Sequence, residues 1–89
     1  MQDVPALSDA HAAFGAAVRR HRKALELSQD GLADETKLHR NYIGGVERGE
    51  YNLTLSSILT LARGVRVPAA DLVAAAERAS IGAGEDGVL

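Results

Sequence analysis

Every strong apolar window in this 89-residue chain repeats at helical spacing, and none alternates with period two. That single property restricts the fold to packed helices. Phe14, Ala17, Val18, His21, Arg22 and Leu25 form one such stripe, with Ser8 as N-cap, predicting a first helix over about 9–25. Ser28 caps a short second helix, about 29–36, that points Leu32 and Ala33 inward. After a tight connection at Lys37 and Leu38, a third helix over about 40–48 buries Ile43 and Val46, and Gly49 stands where a helix end favours a left-handed residue. Thr54 caps a fourth helix carrying Leu55, Ile58, Leu59 and Ala62, ended by Gly64. Pro68 opens a fifth over about 68–80, with Leu72, Val73 and Ala76 on one side. The expected fold is all-α: a compact five-helix bundle over residues 9–80, between a flexible lead-in (1–8) and a flexible tail (81–89).

The absence of cysteine excludes disulfide scaffolds, thiolate zinc sites and thiol catalysis. No apolar run reaches the length of a membrane span and no secretory layout opens the chain, so a cytoplasmic protein without a membrane partner is expected. Three aromatic residues, Phe14, Tyr42 and Tyr51, are too few for a base-stacking platform. The net charge of −2 argues at first against nucleic acid, but its distribution does not: residues 11–66 carry +3 between acidic ends. His11, His21 and His39 lack ligand spacing, so neither a metal nor any other cofactor is expected. G-A-G-E-D-G at 82–87 matches a dinucleotide fingerprint formally, yet has no preceding strand and no room for a following helix. No serine has a histidine and acid arranged to activate it, and the chain does not read as an enzyme.

The informative segment is S-Q-D-G-L-A-D-E-T-K-L-H-R-N-Y-I-G-G-V-E-R-G, residues 28–49, two short helices around a connection of about three residues. It resembles the Cro and λ-repressor-like (XRE) helix-turn-helix family in its S-Q-x-x-L-A opening, its Y-I-x-x-x-E-R-G closing and the R-R-x-R-K end of the preceding helix. The following N-L-T-L-x-S-I-L-x-L-A-R-x-V-x-V-P run resembles the small controller proteins of restriction-modification systems. The resemblance covers about Phe14 to Leu72. It implies a λ-repressor-like DNA-binding domain and a transcriptional regulator of double-stranded DNA.

On the third helix, Ile43, Val46 and Glu47 share one face, while Asn41, Gly44, Gly45 and Arg48 occupy the other with Arg40 on its flank. Two adjacent glycines in so short a helix cost ~2 kcal/mol relative to alanine, a cost that close approach to a DNA groove or to the second helix would explain. The forks of Arg and Asn suit guanine and adenine edges. Arg40 and Asn41 are therefore the expected base readers, with Gly44 and Gly45 allowing close approach. Gln29 at the second helix's start, Tyr42, Arg48 and Asn52 are expected at phosphates, Tyr42 being the one among them best suited to a partly core position instead, and the resemblance implies the same role for Gln29 with a buttressing contact to Arg40. Arg22 and Glu47 are charges on apolar stripes and should pair, tying the first helix to the third; the resemblance implies the same pair. Lys37 and Glu26 stand where the family usually carries turn glycines, and His39 replaces the customary Ser, Thr or Asp cap, predicting a weaker one.

One small reading helix offers too little surface for tight binding, so a homodimer on a palindromic operator is expected, its reading helices about 34 Å apart. Leu61, Val65, Val67, Leu72 and Val73 could supply the dimer face or simply the core. Such a regulator would control its own level, repressing from an operator over a promoter or recruiting RNA polymerase from one just upstream. Two other classes fit the same fold: a protein-interaction adaptor or coactivator, and an antitoxin-like partner of an enzyme.

Overall fold

The computed structural model describes residues 5–82. It contains five helices: α1 (Asp9–Ala24), α2 (Gln29–Thr36), α3 (Arg40–Glu47), α4 (Leu55–Val65) and α5 (Ala69–Gly82). The tail from residue 83, including most of the G-A-G-E-D-G run, and residues 1–4 of the lead-in lie outside the described residues. Among the described residues there is no strand, and no helix is long and apolar enough to cross a membrane.

Short-range polar contacts set the helix starts. Ser8, Ser28 and Thr54 each lie in extended backbone and accept the N–H three residues on, from His11, Gly31 and Ser57. The apolar stripes then close on one another: Phe14, Ala17 and Val18 of α1, Leu32 of α2, Ile43 and Val46 of α3, Leu61, Ala62 and Val65 of α4, and Leu72 of α5 form the core. α1 lies most extensively against α5 and also meets α3 and α4, while α2 packs on α3 and α4.

Leu61, Val65 and Leu72, offered as dimer-face residues, are core: a bundle this small needs all three to close its interior. Val67 is half-buried, and only Val73 of that group is exposed. Gly64 does not end α4. It lies inside the helix where α4 meets α2, with Leu32 Cδ1 2.8 Å from where a Cβ would stand. Arg66 ends the helix instead, in the left-handed region at φ 63°.

Glu26 (φ 58°) and Lys37 (φ 63°) are left-handed as well, so the chain makes the glycine-type turns without glycine. Lys37 N–H closes α2 by donating to Ala33 O at 2.8 Å, so the strained residue is also the helix cap. Lys37→Gly is expected to stabilise the fold by up to ~1 kcal/mol, relief of left-handed strain outweighing the extra freedom of the unfolded chain. A rise in the urea midpoint at unchanged slope would show it.

Candidate nucleic-acid interface

The third helix is anchored on its inner side and at both ends. Inside, Ile43 and Val46 are buried. At its start, His39 Nδ1 accepts the Asn41 N–H at 3.1 Å, so the expected weak cap is a formed one: an imidazole lone pair replaces the usual side-chain oxygen. At its end, Gly49 adopts φ 77°, its N–H donates to Val46 O at 2.9 Å, and Glu50 N–H donates to Gly45 O at 3.0 Å. This double closure is the Schellman arrangement, which glycine permits because it has no Cβ to clash. Gly49 O also accepts Leu7 N–H at 2.8 Å, tying the chain before α1 to the end of α3.

The strongest anchor is ionic. Arg22 Nε donates to Glu47 Oε2 at 2.7 Å and Arg22 Nη2 to Oε1 at 3.0 Å, with side chains only 8% and 4% exposed. Arg22 Nη1 donates to Leu27 O at 2.8 Å, and Gln29 Nε2 donates to Glu47 Oε1 at 3.0 Å. Four groups from α1, the α1–α2 turn, α2 and α3 thus converge, and no buried side-chain polar atom among the described residues lacks a partner. Gln29 buttresses Glu47 rather than Arg40, because Glu47's carboxylate is the acceptor within reach.

On the opposite side, Arg40 and Asn41 are exposed in the first turn of α3, and Asn41 makes no side-chain hydrogen bond among the described residues. Gly44 and Gly45 do not form the open, smooth strip expected of them; both are buried. A Cβ on Gly45 would run into the Tyr51 ring, whose Cδ2 would stand 2.9 Å away, so Gly45 serves packing rather than base contact. Tyr51 in turn stacks on half-buried Tyr42, centroids 5.1 Å apart and planes 27° from parallel. Gly44 lies beneath the ends of two polar side chains, Arg48 Nη1 and Gln29 Oε1, at 3.2 and 3.6 Å from a Cβ position. The exposed part of the helix is therefore its first turn alone, at Arg40 and Asn41.

Arg48, at the end of α3, and Asn52, in the loop after it, have partners of their own. Arg48 is exposed and paired to Glu50, Nε to Oε2 at 2.7 Å and Nη2 to Oε1 at 3.4 Å; that hydrogen bond raises the proton affinity of a guanidinium that is charged in any case. Asn52 Oδ1 accepts from His11 Nε2 at 2.6 Å, leaving its amide N–H groups to face outward contacts. His11 Nδ1 meets Ser8 Oγ at 2.7 Å, so α1's cap and the loop after α3 are linked through one imidazole. Sequence reasoning missed Gly15, where a Cβ would press on the Val46 and Glu47 carbonyls. The available signal was an isolated glycine inside a helical stripe, which usually marks close packing.

Residues 13–82 match the family model described as a helix-turn-helix domain. The Control protein C.SmaI of Serratia marcescens is 52% identical over 46 residues, which span 52% of this chain and 55% of that protein. The Control protein C.BamHI of Bacillus amyloliquefaciens is 39% identical over 61 residues, 67% of this chain and 75% of that one. Among solved structures, the restriction-modification controller protein C.AhdI from Aeromonas hydrophila superposes with a TM-score of 0.66 at 43% identity, over 68% of this chain and 92% of that one.

Proposed function

The chain belongs to the helix-turn-helix domain family, and from that premise we propose that it is a sequence-specific regulator of transcription that reads double-stranded DNA through the first turn of α3. Its similarity to two control proteins and to a restriction-modification controller protein favours, for this chain, control of a restriction-modification locus that includes its own gene. The observation that carries the reading is the outward pair Arg40–Asn41 on a helix held from behind by Ile43, Val46 and the Arg22–Glu47 pair. An anchored helix presents its forks at a defined depth and angle, and base readout depends on that placement.

Arg40 and Asn41 contact base edges, while Gln29, Arg48, Tyr42 and Asn52 meet flanking phosphates and fix the register. The protein works as a homodimer on a palindromic operator. Its dimer face draws on three of the apolar side chains that α4 and α5 leave outside: Leu55 at 71% exposure, Leu59 at 48% and Val73 at 44%. Operator position then sets the outcome, repression over a promoter or contact with RNA polymerase just upstream of one.

Selection of bound duplexes from a random pool tests this directly. A palindromic winner bound with steep salt dependence is expected; no enrichment over the starting pool would overturn the proposal. On the selected duplex, Arg40→Ala and Asn41→Ala are each expected to weaken binding by about 1–3 kcal/mol; Asn41→Ala should leave random duplex DNA unaffected, and Arg40→Ala should weaken it only by the few-fold effect of one lost charge. An equal loss on every sequence would remove the base-reading role of the residue concerned.

A further inference from the structure

Arg40 is not free in solution: its Nε lies 3.2 Å from Asp30 Oδ1. Asp30 is in the first turn of α2, directly after Gln29, on a face that must approach phosphates. An acid there opposes DNA binding in general. A carboxylate in a helix's first turn favours the helix dipole, which explains an acid at that end but not its contact with Arg40.

The atom in contact is informative. A guanidinium carries one N–H on Nε and two on each terminal nitrogen, and guanine accepts through O6 and N7 from a pair of such donors. Asp30 pairs with the fork as an ion pair whose nearest approach is at Nε, on the stem side, without a hydrogen bond. No nitrogen of Arg40, Nε included, donates a hydrogen bond among the described residues, and the two side chains are 57% and 76% exposed. The contact can therefore persist while the terminal edge meets a base. Glu50 differs: it engages both Nε and Nη2 of Arg48, an arrangement that leaves less of the fork for bidentate readout.

We propose that Asp30 is a positioning residue for base recognition: its charge beside the stem of Arg40 biases that side chain toward α2, leaves the terminal pair of N–H groups for a guanine edge and keeps the side chain from swinging to the nearest phosphate. The proposal rests on Arg40 reading bases. Its benefit is preorganisation, since a long arginine fixed before contact loses less freedom on binding.

The test uses the full chain, the duplex recovered by selection and a scrambled duplex of equal length, at matched salt. Asp30→Asn is expected to weaken the selected duplex by roughly 3–10-fold and to strengthen the scrambled one by roughly 3-fold, through loss of aim and of a negative charge respectively. Opposite movements cannot come from charge alone, which would raise both affinities together. In an Arg40→Lys background, where no fork remains to be aimed, the same change should raise both by one factor. Asp30→Ser should reproduce the Asn pattern, which guards against a local disturbance of α2. A common rise on both duplexes in the Arg40 protein, or no change in a variant that melts normally, would overturn the proposal. Arg40→Ala run alongside separates the two ideas: equal weakening on both duplexes removes base reading itself, whereas selective weakening with an unselective Asp30→Asn removes only the role of Asp30.

Discussion

Glu47→Ala is expected to destabilise the domain by about 3–5 kcal/mol, a large share of the stability of a chain this size. The loss comes chiefly from what is left behind. Arg22 keeps its bond to Leu27 O but loses both contacts to Glu47, and Gln29 loses the acceptor of its amide. With the Arg22 side chain 8% exposed, water cannot readily take the carboxylate's place. Thermal melting should fall by roughly 15 °C or more, and Glu47→Gln should lie between alanine and wild type. Replacing Arg22 and Glu47 together by apolar residues of similar volume should recover much of the loss, because no unpaired charge then remains buried. An unchanged melting temperature in Glu47→Ala would show that the pair contributes nothing.

The second large effect is expected at Gly15. Alanine there gains ~1 kcal/mol of helix propensity, so an exposed site would respond with a more stable protein. Here the new methyl would stand 2.6 Å from the Glu47 carbonyl oxygen and closer still to that of Val46. Both obstacles are backbone at the end of α3, which cannot rotate aside as a side chain could. Gly15→Ala should therefore lower stability by ~3 kcal/mol net, overpacking outweighing propensity. It should also weaken binding to the selected duplex more than stability alone explains, since pushing α1 from α3 tilts the reading turn. A variant as stable as wild type would refute the close α1–α3 approach.

These two positions differ in how legible they are from sequence. Glu47 and Arg22 are visible because each places a charge on an apolar stripe, and burial then demands a partner. The helix starts are visible for a similar reason: Ser8, Ser28 and Thr54 act on N–H groups three residues away, within a short window of sequence. Gly15 and Gly45 are opaque because their neighbours come from elsewhere in the chain, the α3 carbonyls in one case and the Tyr51 ring in the other. Periodicity tells which side of α4 and α5 is apolar, but not whether a second helix or a second protomer covers it. That is why Leu61, Val65 and Leu72 read as equally suited to a core or an interface, and only packing assigns them to the core. The pairs Asp30–Arg40 and His11–Asn52 are likewise products of tertiary placement, the second joining residues 41 positions apart.

The stacked tyrosines have a practical consequence. The chain has no tryptophan and only two tyrosines: Tyr42 belongs to α3, and Tyr51 stacks on it and covers Gly45. Near-ultraviolet dichroism and intrinsic emission from this protein therefore arise almost wholly at one edge of α3. A ligand, mutation or titration that unseats that helix would be visible spectroscopically without a label, even where the remainder of the bundle stays intact.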